Sequence, residues 1–316
     1  MDALSSLLRV VRLQGAFFYG VEATEPWCIE TVGTRQLTPK IIPGAEHLIS
    51  YHVITDGKCY GGLVGEEPVE LLPGDVIVFP QGDAHVMASM PGQRHGPSIQ
   101  HSVPARYRET VHLGERDAPV ITGLICGFLA CDRRPFNPLL EALPRRLHLR
   151  GVSSAWLMGF TRQITAESRQ GGAGSDTVLT RLAELMFIEV LRRYLDELPP
   201  EQTGWLAGLR DETVGRALTL LHDQPGHPWT LASLAGASAT SRSNLARRFT
   251  ELVGEPPMQY LARWRMQVAS NLLVESGDKI AAIGREVGYD SEAAFSRAFK
   301  KATGQAPGAW REARRS

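Results

Sequence analysis

One stretch of this sequence occurs twice, fifty residues apart. Ser241, Leu245, Arg247, Phe249, Gly254 and Pro257 are matched by Ser291, Phe295, Arg297, Phe299, Gly304 and Pro307. In each copy a residue able to cap a helix is followed by apolar residues four and eight positions on. An arginine lies between them, and a glycine then a proline close the unit. This is the pattern of a short capped helix with one buried face and one basic face. Any fold of this chain must therefore hold the same small helical unit twice.

Each copy is led in by a short apolar segment. The first is Thr230-Leu231-Ala232-Ser233-Leu234-Ala235, and the second is Lys279-Ile280-Ala281-Ala282-Ile283-Gly284. The lead-ins match at an offset of 49 rather than 50, so the second turn is expected to be one residue longer. Two helices joined steeply by a few residues make a helix-turn-helix, whose second helix enters the DNA major groove. The units are expected over 230–252 and 279–303. A helix over Pro257–Glu275 would hold them apart, so that they meet successive major grooves about 34 Å apart.

Helical spacing assigns the side chains. Leu245 and Phe249 face the core of the first unit, leaving Arg242, Ser243, Asn244, Ala246 and Arg247 toward DNA. Phe295 and Phe299 do the same in the second, leaving Glu292, Ala293, Ser296 and Arg297. An arginine can make two hydrogen bonds to a guanine edge, so the equivalent Arg247 and Arg297 are the expected base readers. Arg248, Lys300 and Lys301 are expected on phosphates, which gives affinity with little specificity. From 206 to 316 there are 15 Lys and Arg against 11 Asp and Glu, although the whole chain is neutral. A bundle of helices with solvated arginines would explain one copy, but not two copies joined by one long helix.

The first half has a different texture. His47–Thr55, Pro68–Leu72, Val76–Phe79 and Val120–Leu129 are rich in β-branched and aromatic residues, and Gly and Pro punctuate the intervals. Many short strands suggest a sandwich or small barrel. The first 135 residues are expected to be strands and loops, with Asp132–Pro138 a loop. Helices are expected over 153–169 and from Ser175 to about Leu198. The second has more apolar residues than one narrow stripe needs, which leaves room for another copy of the chain. No apolar run is long enough to span a bilayer and no secretory signal opens the chain, so no membrane partner and a cytoplasmic location are expected. The cysteines Cys28, Cys59, Cys126 and Cys131 do not form the pattern of a disulfide framework.

Residues 211–316 resemble the DNA-binding domain of the AraC/XylS family of bacterial transcription regulators. The likeness rests on Ile283, Val287-Gly288-Tyr289, Ser291, Phe295, Arg297-Ala298-Phe299-Lys300, Gly304 and Pro307. It implies double-stranded DNA and RNA polymerase as partners. Gly74, Pro80, Gly82 and His85 match the second motif of the cupins, and residues 1–150 resemble a cupin-type sensor domain. The expected fold is therefore α+β multidomain. A cupin-like β-barrel over 1–150 comes first, then a helical linker or dimerisation segment over 151–205, then an all-α double helix-turn-helix over 206–316.

Cupin enzymes hold a metal with closely spaced histidines. Here His47 and His52 are five apart, so they point to opposite faces of a strand. His52, His85 and Cys126 are the set that could meet inside and bind a small-molecule effector, or a divalent metal such as zinc. A redox signal at Cys126 or Cys131 would need an exposed, acidic thiol. Two other functions stay open: a metal-dependent cupin enzyme with an appended helical domain, and a helical interaction module that does not bind DNA.

Overall fold

The structure is a computed structural model. It describes residues 2–11, 13–94, 110–115, 118–133, 135–151, 154–170, 172–199, 201 and 203–315. The chain divides into two compact units. One comprises Leu13–Asp132 and Leu143–Glu197, and the other Met1–Arg12, Arg133–Ala142 and Leu198–Ser316.

The first unit is built on two sheets. In the larger, the strand Thr122–Cys131 lies between His47–Asp56 and Leu13–Ala23; Val76–Phe79 and then Leu147–Leu149 extend one side, and Thr110–Leu113 the other. The smaller runs Cys28–Thr31, His85–Ala88, Cys59–Leu63, Val69–Leu71. The sheets share one apolar core that includes Tyr19, Val21, Leu63, Ile77, Phe79, Met87 and Leu124. Among the described residues they form a sandwich, and no strand pairing closes them into the expected barrel. Val76–Phe79 and His85–Ala88 follow each other in the chain but belong to different sheets, so the chain crosses from one sheet to the other between them.

The expectation of strands and loops alone over the first 135 residues needs correction, because Ala3–Val10 and Thr34–Ile41 are helices. Asp2 caps the former by accepting from the Ser5 amide at 2.9 Å. The helices Ser154–Gln170 and Ser175–Glu197 belong to the sandwich unit, and the latter packs on the strand Leu13–Ala23. Residue 153, the expected helix start, lies outside the described residues. Leu179, Ala183, Met186, Phe187, Val190 and Leu191 are buried at helical spacing. Val178 and Leu185 lie on the other face, 37% and 57% exposed.

The second unit is helical, and its core is completed by two segments from far upstream in sequence. Helix Ala3–Val10 packs on Glu212–Asp223, with Ser6 Oγ donating to Asp223 Oδ1 at 2.7 Å. The segment 133–142 brings in Phe136, Pro138, Leu139 and Leu140, all buried. The Phe136 amide donates to Oε1 of Gln267 at 3.0 Å, and Asn271, one turn on, donates to the carbonyl of Val10. Both are buried polar side chains on the helix Pro257–Glu275. A buried amide group without partners costs about 1–3 kcal/mol, so these segments satisfy the helix as well as cover it.

Candidate nucleic-acid interface and sandwich core

The fifty-residue repeat folds as two helix-turn-helix units. Leu231–Ala237 and Arg242–Val253 form the first, Ile280–Glu286 and Glu292–Thr303 the second. Ser241 and Ser291 cap the second helices, each accepting from the amide three residues on at 3.2 Å. Gly254 and Gly304 end them in the left-handed conformation, at φ 89° and 78°, which glycine adopts without steric cost. Four residues separate the helices of the first unit and five those of the second, as the change of offset requires.

Leu245, Phe249, Phe295 and Phe299 are fully buried. Arg242, Ser243, Arg247 and Arg248 are exposed, with Asn244 and Ala246 half-buried. In the second unit Glu292, Ala293, Arg297, Lys300 and Lys301 are exposed and Ser296 is half-buried. Gly284 lies against Phe295, where an added Cβ would come 3.0 Å from the Phe295 Cβ and 3.1 Å from its ring. The equivalent site in the first unit is Ala235, opposite the smaller Leu245. The two units thus distribute similar volume differently.

The cations are committed unequally. Nη1 of Arg247 donates to both carboxylate oxygens of Glu251 at 2.8 Å, and Nη2 to Asn244 Oδ1 at 3.2 Å. Asn244 in turn donates to Thr240 at 2.8 Å. An exposed pair one helical turn apart contributes only ~0.3–0.5 kcal/mol, so Arg247 can exchange it for DNA. Arg248 has another task. Its Nε donates to Asp211 at 2.6 Å, and Asp211 caps Glu212–Asp223 by accepting from the Val214 amide at 2.8 Å. Partial burial would raise the Asp211 carboxyl, but hydrogen bonds from Arg248 and the backbone outweigh it and hold the pKa below the ordinary value. Arg242, Arg297, Lys300 and Lys301 form no ion pair among the described residues.

In the sandwich unit, His52, His85 and Cys126 come together, with Tyr19 as a fourth member that sequence reasoning missed. Tyr19 and His52 flank Cys126 on its two neighbouring strands, in register. His52 Nδ1 is 2.9 Å from Cys126 Sγ, and His52 Nε2 is 2.9 Å from His85 Nε2. His85 Nδ1 is 3.0 Å from the Asp83 carbonyl, and its ring stacks on Phe79 at 4.0 Å. His47 is directed elsewhere, to the Pro80 carbonyl at 2.7 Å.

The protons follow from valence. A carbonyl only accepts, so His85 Nδ1 carries a proton and its Nε2 accepts. His52 then donates from Nε2, and its Nδ1 accepts the Cys126 S–H. The Tyr19 hydroxyl donates to the sulfur. Every member is neutral. Burial holds His52 well below the ordinary imidazole range, lowers His85 to about 4, and raises Cys126 well above an ordinary thiol.

This geometry does not fit a single metal ion. The two nitrogens of His52 face different neighbours, and a coordinating cysteine must be a thiolate. Among the described residues no three His, Cys, Asp or Glu are grouped to hold a metal. Nor is Cys126 an acidic, exposed thiol of the kind a redox sensor needs.

Two helix-turn-helix units on one connecting helix, joined in sequence to a cupin sandwich, define a DNA-binding transcription regulator. A family model described as Cupin matches residues 2–196, and one described as Helix-turn-helix domain matches residues 234–313. A putative AraC-like transcription regulator of Streptomyces antibioticus is 32% identical over 316 residues, covering 99% of each chain. The HTH-type transcriptional regulator AlkR of Acinetobacter baylyi is 28% identical, covering 99% of each. A solved AraC-type transcriptional regulator from Chromobacterium violaceum is 26% identical over 34% of this chain and 96% of its own, at a TM-score of 0.32. The chain belongs to the AraC-like transcription regulators that carry a cupin domain. No described helix is long and apolar enough to cross a membrane.

Proposed function

We propose that this regulator reads its operator chiefly through the second recognition helix and takes a small-molecule effector in the sandwich. The observation that carries this is the unequal commitment of the cations. Among the described residues, the side chains of Arg297, Lys300 and Lys301 have no partner to give up, whereas Arg247 is paired and Arg248 braces a neighbouring helix. Arg297 reads bases, Lys300, Lys301 and Arg242 grip phosphates, and Arg247 adds a weaker contact after releasing Glu251. Ser243, Ala246, Ala293 and Ser296 leave room for close approach to bases, beside Glu292 and Asn244.

Arg297→Ala is expected to weaken binding to a duplex selected by the wild-type protein by ~1–3 kcal/mol, or roughly 5- to 150-fold. Binding to unrelated duplexes should fall far less, and titration of both measures it. Equal losses on all sequences would remove Arg297 from base reading.

The polar chain through Tyr19, Cys126, His52 and His85 is the hydrogen-bonding group that an effector inside the apolar sandwich would meet. The protein acts in the cytoplasm, with RNA polymerase as a partner implied by the family, and not as an enzyme. In this reading the sandwich unit, Leu13–Asp132 and Leu143–Glu197, is the sensor and includes the two helices of 151–205, while 206–316 reads DNA and is completed by Met1–Arg12 and Arg133–Ala142 from within 1–150. Val178 and Leu185, one face of Ser175–Glu197, support a homodimer through that helix. Leu185→Arg is expected to convert dimer to monomer in sedimentation without altering the circular dichroism spectrum. An unchanged sedimentation coefficient would place the contact elsewhere.

A further inference from the structure

The two heads hang from the ends of the helix Pro257–Glu275 by short connections, Gly254–Pro256 on one side and Ser276–Lys279 on the other. Left to themselves these connections are two pivots. Arg311 pins the second, donating from Nε to the Leu273 carbonyl at 3.0 Å and from Nη2 to that of Asp278 at 2.6 Å, but those contacts stay beside the second head.

Arg265, in the middle of the connecting helix, reaches both heads. Its Nε donates to the Pro225 carbonyl at 2.7 Å and Nη2 to the His227 carbonyl at 2.9 Å. Both carbonyls belong to the loop that leads into the first head. Its Nη1 donates to the Gly288 carbonyl at 3.3 Å, in the turn of the second head. The planar guanidinium presents its donors in a fixed fork, so three carbonyls from two segments are held in one arrangement. The segments also touch directly. A Cβ on Gly226 would lie 2.2 Å from the Glu286 carbonyl oxygen, and one on Gly288 would lie 2.7 Å from Arg265 Nη2 and 2.8 Å from the Gly226 carbonyl. Gly288 has φ 85°, a left-handed turn. The first unit has Ala239 at the equivalent place, at φ 55°. In the second head, then, the turn glycine is also a contact surface for the loop before the first head.

We infer that Arg265 is a specificity-determining residue of the operator's geometry: by locking the loop 225–227 to the turn at Gly288, it fixes the separation and phase at which the two heads accept their half-elements. The inference rests on the reading that both heads engage DNA together. One inserted base pair moves a half-element by about 3.4 Å and turns it by roughly 35° about the helix axis. A locked junction cannot follow both changes, and a junction with free pivots can.

The test uses the full-length protein. A duplex is selected from random DNA with the wild-type chain, and then re-selected from a library in which the interval between its half-elements varies by up to two base pairs. The wild type is expected to keep one spacing, with at least a tenfold loss for a one-base-pair insertion. Arg265→Gln, which keeps length and one donor group, should accept neighbouring spacings within about threefold while binding each isolated half-element as the wild type does. Gly226→Ala presses the same junction apart from the loop side and should broaden the spacing likewise, so the result does not depend on one variant folding. If both variants discriminate spacing as sharply as the wild type, Arg265 does not set it. A wild-type footprint confined to one half-element would overturn the two-headed reading, and the inference with it.

Discussion

Phe136→Ala is expected to destabilise the DNA-binding unit by about 3–5 kcal/mol, the usual cost of deleting a buried phenylalanine ring. The residue lies in the first half of the sequence, more than a hundred positions before either recognition helix. The residue is 2% exposed, its ring lies nearly perpendicular to that of Tyr260 at 5.4 Å between centroids, and the Arg263 guanidinium lies 3.9 Å above it. Arg263 is itself held by Glu141 at 2.7 Å and Glu255 at 2.9 Å. Removing the ring leaves a cavity under Tyr260 and takes away the surface on which Arg263 rests. The exposed Arg263–Glu141 pair contributes little by comparison, so the lost burial dominates. Hydrogen exchange should show protection falling in Trp205–Arg210 and Pro257–Glu275, while the strands Leu13–Ala23 and Thr122–Cys131 stay protected. Specific DNA affinity should fall with the folded fraction. Loss of protection confined to the strands would mean that 133–142 serves the sandwich instead.

This segment also marks where sequence reading stops. The double module was legible because its determinants are local: caps, buried residues four apart, and closing glycines repeat at fixed spacing. Residues 132–138 read as a loop, and the described ones before the helix that starts at Pro138 are irregular by backbone. What covers Phe136 depends on Tyr260, more than a hundred residues on, and no periodicity encodes that. The same limit applied to cations. The Arg247–Glu251 pair lies one helical turn apart and could have been read, whereas the Arg248–Asp211 pair spans 37 positions. Nothing in the sequence marks Arg265, which is one arginine on a long helix with backbone carbonyls as its partners. In the sandwich, His52, His85 and Cys126 were reachable from the cupin motif and strand alternation. Tyr19 needed the register of Leu13–Ala23 against Thr122–Cys131, which pairing sets and composition does not.

Acidification from pH 7.5 to 5 is expected to cost each unit stability through its buried neutral histidines. In the DNA-binding unit the group is His222. Its Nδ1 donates to the Ala3 carbonyl at 3.2 Å, and its Nε2 lies 2.6 Å from the Tyr260 hydroxyl, which also accepts from Trp205 Nε1 at 2.8 Å. Protonating Nε2 would aim it at the hydroxyl hydrogen, and turning the hydroxyl would leave that hydrogen unpartnered in the core. A charged ring would gain ~0.5–2 kcal/mol from the face of Trp264, on which it stacks at 3.9 Å. Burial outweighs that gain and lowers His222 to about 3, against 6.5 for a free imidazole. The folded pKa lies below the unfolded one, so the unfolded chain binds more protons between them. Stability is therefore full above pH 6.5 and is lost as pH falls toward 3. At pH 5 the linkage is about 2 kcal/mol for His222 and about the same for His85, with His52 acting in the same direction. Urea unfolding of the full chain at the two pH values measures the loss. His222→Gln offers an amide to the same two partners without titrating, and should remove about 2 kcal/mol of the pH dependence in the DNA-binding unit alone. Stability that stays level or rises between pH 7.5 and 5 would require a charged imidazole at one of these sites. The chain of donors from Trp205 through Tyr260 to His222 has no place for one.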